Sequence, residues 1–420
     1  MLNQRIVSYL LEGANDRFLR YVKINTQSDP NSKRHPSSEG QLELGRLLVK
    51  ELLALGLTDV FLDDKGYVYA RKPAHGCKDR ILPTITFCAH LDTSPSESGA
   101  NVTPILHTSY DGGNILFPKN ETLILSPEIS PELLYFVGQT IITAAGDTLL
   151  GADDKAGIAE IMTALAAFQQ FPELSHPELR IVFTPDEEIG QGADYIDLNR
   201  LGKFGYTMDG GLVGSIETEC FDAWEINLTF LGRNVHPGYA KNKMINAVAI
   251  AARYIAGLPE WQTPEHSEKR EGFWHLTALK GDENRAFCKL ILRSFDRSQN
   301  EKHIEFIRQL CHVFERRYDG LKIDISIKDQ YQNMQEVLDQ YPNVTAKAVQ
   351  AIENVGLTAV HKPVRGGTDG ARLSFMGMPT PNIFAGGLMF HSKIEWIPQI
   401  ALQKGAQVIL ELCNLWSKEK

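Results

Sequence analysis

Residues 179–188 read Leu-Arg-Ile-Val-Phe-Thr-Pro-Asp-Glu-Glu. A short apolar run of this kind reads as a buried strand, and it ends at Thr184-Pro185 with three acids immediately behind it. The same pattern stands upstream, where Ile85-Thr86-Phe87-Cys88-Ala89 runs into His90-Leu91-Asp92. Between the two, residues 155–168 (KAGIAEIMTALAAF) carry apolar residues at helical spacing. Strands alternating with helices favour an α/β sheet with helices on both faces. Polar and acidic residues fall repeatedly where strands end, which is where ligands bind in open α/β sheets.

Downstream of about residue 213 the pattern changes. Trp224-Glu225-Ile226-Asn227-Leu228-Thr229-Phe230 alternates with period two, as a one-sided strand should. A helical stretch follows at 243–256, then strands at 273–280 and 286–295, a helix at 300–316 and an alternating strand from Leu321 to Lys328. That order, β-α-β-β-α-β, is the split βαβ (ferredoxin-like) arrangement. The expected organisation is a sheet domain in two pieces, 1–213 and 329–420, with 214–328 inserted between them. The tail returns to helix–strand alternation, with Pro381-Asn382-Ile383-Phe384 as the last sheet strand.

Composition agrees with a folded protein of two domains: 420 residues, 43% hydrophobic and 23% charged. The net charge of -9 argues against a nucleic-acid surface, which needs clustered Lys and Arg. No apolar run approaches the roughly 20 residues of a membrane helix. The N-terminal stretch MLNQRIVSYLLEGANDRFLRYV mixes charges with apolar residues and has no signal-peptide core, so export is not expected. The six cysteines are scattered without CxxC pairs, as suits reduced thiols and a cytoplasmic location.

The chemistry-bearing residues come from distant stretches. His90 and Asp92 are one residue apart, so in extended chain they share a side. Asp153 and Asp154 lie in Gly-Ala-Asp-Asp-Lys-Ala-Gly (151–157), Glu187 and Glu188 follow a strand, Asp209 sits in Met-Asp-Gly-Gly (208–211), and His391 follows a glycine-rich segment. Burying several carboxylates together raises their pKa values unless a cation neutralises them. Two histidines and three carboxylates can serve two zinc ions if one carboxylate bridges. On spacing alone, a metal site and a set of unrelated surface acids remain equally open. Asp63-Asp64 read as solvated turn charges, a reading also open for Asp186, and lone histidines such as His107, His312 and His361 as surface or satisfied core residues.

Several segments together are specific enough to carry a resemblance. These are AHLDTSP (89–95), TLLGADDKAGIAEIMTAL (148–165), TPDEEIGQGA (184–193), YTMDGG (206–211), NVHPGYAKNKMINA (234–247), EGFWHL (271–276) and VRGGTDGARLSFMGMPTPNIFAGG (364–387). The chain resembles the peptidase T family, tripeptide aminopeptidases of the two-zinc aminoacylase/carboxypeptidase superfamily. The resemblance implies two Zn²⁺ per subunit: His90 and Asp209 on one, Glu188 and His391 on the other, Asp153 bridging. It makes Asp92 the residue that orients His90 and Glu187 the general base. Release of the N-terminal residue from a tripeptide would then follow attack of a zinc-bridging hydroxide.

The resemblance also makes His236, in the inserted domain, a donor to the oxyanion; without it, His236 before Pro237 reads as a turn histidine. Arg365, Asn246 and Arg285 are the candidates for substrate binding, Arg365 by holding a peptide carboxylate bidentately. A homodimer through the inserted domain, acting also as a lid, is a further expectation. The segment Leu388-Met389-Phe390-His391 departs from close relatives before the histidine, as do Tyr239 and Asn242 in the inserted domain. Rival activities on the same metal site are a dipeptidase, a carboxypeptidase and an N-acyl amino acid hydrolase.

Overall fold

The apolar run at 179–184 forms a strand near the middle of an eight-stranded sheet in the computed structural model, which describes residues 3–77 and 80–419. Met1 and Leu2 of the N-terminal amphipathic stretch lie outside the described residues. Across the sheet the strands run in the order Thr58–Leu62, Val68–Lys72, Leu179–Thr184, Ile85–His90, Phe204–Gly210, Asn382–Phe384, Ser215–Cys220, Val360–Val364. The four from 179–184 to 382–384 are parallel. Thr58–Leu62, Val68–Lys72 and Ser215–Cys220 pair antiparallel beside them.

Strand alternation divides the core into two layers. Ile85, Phe87, Ala89, Ile181 and Phe183 turn to one face, where they meet buried residues of helices Gln4–Tyr21, Glu39–Ala54, Ala152–Gln170, Pro342–Asn354 and Gln399–Ser417. Cys88 and Val182 turn to the other face, against Tyr67, Tyr69 and Leu373 of the short helix Asp369–Phe375. Helices therefore cover both faces, as expected. Helix Ala152–Gln170 is buried nearly all round, which is the property of a core helix rather than an amphipathic surface one. Its Gly157 permits this: a Cβ there would stand 1.9 Å from the Met208 carbonyl oxygen.

The chain divides into two units, residues 1–218, 336–362 and 368–420 in one, 219–335 and 363–367 in the other. The second unit has the β-α-β-β-α-β order: Asp222–Leu231, Ala247–Ile255, Phe273–Gly281, Arg285–Ser294, Arg297–Arg317, Lys322–Tyr331. Its sheet is fully antiparallel, ordered 273–281, 285–294, 222–231, 322–331. Inward Ile226, Leu228 and Phe230 share a core with Ile304, Ile307 and Cys311.

The divisions fall a few residues later than the expected 213/214 and 328/329. Strand Ser215–Cys220 is held in the large sheet by Asn382–Phe384, and the last strand of the second unit continues to Tyr331. The helix expected from 243 begins only at Ala247. Ile245 exchanges backbone hydrogen bonds with Arg233, and Asn246 caps the helix by accepting from the Ala249 amide at 3.0 Å. Among the described residues, no helix is long and apolar enough to cross a membrane.

Candidate metal centre

The parallel strands deliver their acids and imidazoles to one edge of the large sheet. His90 ends its strand, Glu187 and Glu188 follow the strand ending at Thr184, and Asp209 lies at the end of 204–210. Asp153 stands in the first turn of helix Ala152–Gln170, behind Gly151 at φ 83°. His391 follows strand Asn382–Phe384 and is held at φ 61°, a conformation rare for a residue with a side chain and recurrent at functional sites.

Two groups of side chains meet there and share one member. His90, Asp153 and Asp209 form the first; Asp153, Glu188 and His391 form the second, with ligand-type atoms all within 4.8 Å of one another in each. Asp153 divides its oxygens between them, Oδ1 2.8 Å from His90 Nε2 and Oδ2 3.1 Å from His391 Nε2. His90 Nε2 is also 3.6 Å from Asp209 Oδ1, and His391 Nε2 is 2.8 Å from Glu188 Oε2.

The remaining hydrogen bonds show how well these residues fit divalent cations. His90 Nδ1 lies 3.0 Å from the Asp92 backbone carbonyl; donating there leaves the Nε2 lone pair facing Asp153 and Asp209. Glu188 Oε1 is buried and has no hydrogen-bond partner among the described residues, a costly state for a carboxylate oxygen unless an ion meets it. Burial pushes Glu188 up to about 8 and Asp209 up to about 6, and the Asp153 charge adds to both. Burial likewise raises Glu187 well above the usual carboxylate range. Hydrogen bonds to Asp153 and Glu188 lift His391 to about 10. Crowded acids of this kind hold protons that divalent cations would displace. The donor set fits.

Behind the cluster is a layer of supports. The Asp92 carboxylate accepts the backbone N–H groups of Glu187 and Glu188 at 3.0 and 3.1 Å, and its Oδ1 lies 3.3 Å from His90 Nδ1. Glu395 is buried and accepts from the amides of Leu150, Gly151 and Asp153 at 2.8, 2.8 and 3.1 Å, so it fixes the loop that carries Asp153. Asp154 belongs to neither group and takes the His90 and Gly157 amides. Asp369 accepts from Thr184 Oγ1 at 2.6 Å. Asp186, for which a solvated turn charge stood open, is fully buried, because the Ser37 and Gln41 side chains and the Ser37 amide bind its carboxylate. Glu395 keeps its spacing behind His391 in the sequence, but nothing there names the groups that Glu395 or Asp369 holds, since these lie some 240 and 185 residues away.

The other candidates belong to the second unit. His236 is exposed, and its Nδ1 accepts the Gly238 amide at 3.1 Å. The side chain of Asn246 is spent in part on its helix cap. Arg285 is exposed at the start of its strand. Arg365 donates from Nη1 to the carbonyls of Lys269 and Glu271 and from Nη2 to Ser267 Oγ, at 2.8, 2.9 and 2.9 Å, with its guanidinium over the Phe221 ring. Both terminal nitrogens of the expected carboxylate clamp are thus already engaged in bracing loop 267–271.

Overlapping His–carboxylate groups at the strand ends of an α/β sheet fit the class of metal-dependent enzymes. The sequence pattern of peptidase family M20/M25/M40 matches residues 149–415. The chain is 47% identical to peptidase T of Geobacillus kaustophilus over 405 residues, 96% of this chain and 98% of that protein. Its fold is similar to that of the aminopeptidase PepT of Bacillus cereus, with a TM-score of 0.75 at 23% identity over 97% of this chain and 99% of that one. A tripeptidase of Staphylococcus aureus superposes with a TM-score of 0.77 at 21% identity, over 97% and 99% of the two chains. The chain belongs to peptidase family M20/M25/M40.

Proposed function

We propose that this protein is a tripeptide aminopeptidase using two zinc ions per subunit. The observation that carries the reading is the sharing of Asp153 between two His–carboxylate groups, with Glu187 beside them on the same turn as Glu188. His90 and Asp209 would hold one ion, Glu188 and His391 the other, and Asp153 both. Bound cations supply Lewis acidity and bring the pKa of a water towards neutral. Ordering of divalent-metal affinities and the His/carboxylate mix favour zinc over manganese or cobalt.

The residues of the chain then do the following. Asp92 holds the amides of Glu187 and Glu188 and keeps His90 oriented. Glu187 takes a proton from the attacking water as its oxygen bonds to the scissile carbonyl carbon. The carbon–nitrogen bond breaks, and Glu187 returns that proton to the leaving amine. One carboxyl can serve both halves of this transfer when its surroundings bring its pKa near the working pH. His236 is assigned as donor to the oxyanion: with Nδ1 accepting the Gly238 amide, the neutral ring carries its proton on Nε2. Asn246, Arg285 and Arg365 are assigned to the substrate, and Arg365 also braces loop 267–271. A homodimer through the second unit and a cytoplasmic location complete the reading. They are supported by the outer edges of strands 273–281 and 322–331 and by six cysteines scattered without CxxC pairs.

The test is hydrolysis of a panel of tripeptides, dipeptides, C-terminally blocked peptides and N-acetyl amino acids, each with and without chelator. Release of the N-terminal residue from tripeptides, abolished by chelator and restored by zinc, is the expected result. Preference for dipeptides or N-acetyl amino acids would replace this reading with another activity of the family.

A further inference from the structure

Asp186 takes no part in the reaction above, yet it is among the most tightly bound side chains near the centre. Its backbone sits at φ 55° and ψ 29°, the left-handed region that strains a residue with a side chain. It is the residue from which the chain turns directly into Glu187. Its carboxylate Oδ2 accepts the Ser37 amide at 2.7 Å, and Oδ1 accepts Ser37 Oγ at 2.5 Å and Gln41 Nε2 at 2.7 Å. The Asp186 amide donates to Gln41 Oε1 at 3.0 Å. His35 Nδ1 lies 3.2 Å from Oδ2. Gln41 thus grips both the side chain and the backbone of this one residue, and segment 35–41 wraps its carboxylate.

The turn is held from its other side as well. The Asp92 carboxylate binds the amides of residues 187 and 188, and the Asp186 carbonyl accepts the Gln191 amide at 2.9 Å. A bound amide limits where residue 187 can go. The dihedral angles of residue 186 decide which way its side chain points. We propose that Asp186, locked to Ser37 and Gln41, is a positioning residue that sets the direction in which Glu187 meets the attacking water. The proposal rests on Glu187 being the base and extends that reading to a segment of chain some 150 residues away. Because misplacement by about 1 Å can cost a factor of about 100, the lock acts on turnover rather than on substrate affinity.

The donor–acceptor pattern offers a sharp test. In Asp186→Asn one of the two acceptor oxygens becomes a donor, which must face either Gln41 Nε2 or the Ser37 amide, donor against donor. In Gln41→Glu two carboxylates face each other. In the double variant the pair is complementary again with its polarity reversed, since the carboxylate introduced at position 41 can accept both the side-chain and the backbone N–H of residue 186. All four proteins are compared for tripeptide kcat and KM, zinc per chain and unfolding midpoint. We expect kcat to fall tenfold or more in each single variant, with KM within about twofold and zinc content unchanged. The double variant should return to within about threefold of wild type. Single variants with unchanged kcat, or a double variant no better than the product of the singles, overturn the proposal. So does a loss of folding in the singles that accounts for their activity, which would make the lock a plain stabilising contact. A wild-type protein that cleaves no tripeptide under these conditions fails the functional reading itself, and the positioning role with it.

Discussion

Exchanging the two adjacent glutamates for glutamine separates metal binding from proton transfer within one turn of chain. Glu187→Gln keeps the shape of the side chain, and its amide stays pinned by Asp92 at 3.0 Å, so the turn should not move. Glu187 belongs to neither of the two metal-type groups, so metal content should stay at that of wild type. What disappears is a base, worth about 10²–10⁴ in rate, or about 3–5 kcal/mol of activation free energy. Glu188→Gln acts differently. Glu188 provides one of three side chains in its group, 2.8 Å from His391, and the substitution leaves Asp153 and His391 alone there. We expect zinc affinity at that position to fall by more than about 100-fold, the upper end of what losing even an indirect support costs. After dialysis the content should fall to about one ion per chain. Elemental analysis of dialysed protein, paired with tripeptide kcat, reads both effects. Metal lost from Glu187→Gln, or retained in full by Glu188→Gln, would refute the division of labour.

Two further outcomes test the scaffold. Gly157→Ala places a methyl 1.9 Å from the Met208 carbonyl oxygen and 2.5 Å from Asp154 Oδ1; overpacking of this kind costs about 3 kcal/mol, read as a lower urea midpoint, and an unchanged midpoint would show that the helix can withdraw freely. Burial holds His176 down to about 4, against 6.5 for an ordinary histidine. The unfolded chain therefore takes up a proton that the folded one refuses between those values. Stability should fall as pH drops from 6.5 to 4, by at most about 3 kcal/mol. His176→Asn should remove most of that slope in urea titrations at pH 7 and pH 4.5; an identical slope would assign the loss to other groups.

The parts of this protein legible in its sequence are those governed by local periodicity. Leu179–Thr184 and Ile85–His90 are apolar runs of strand length, and residues 222–231 alternate because one face of that sheet is buried and the other is not. The acids behind such runs must fall at strand tips, so His90, Glu187 and Glu188 could be placed at a sheet edge before any coordinates. Their likeness to a known family then tied them to Asp153, Asp209 and His391. Tertiary structure alone decided everything that depends on contact across long stretches of chain. Glu395 and Asp186 have acidic side chains like any surface residue, and only folding brings three amides to one and Ser37 with Gln41 to the other. Arg365 stands in a glycine-rich segment that suggests a ligand, yet its guanidinium is taken by loop 267–271. Periodicity reports which face of an element is buried. It carries no information about which distant polar partner meets a buried charge, and that pairing fixes where each ligand and the base can stand.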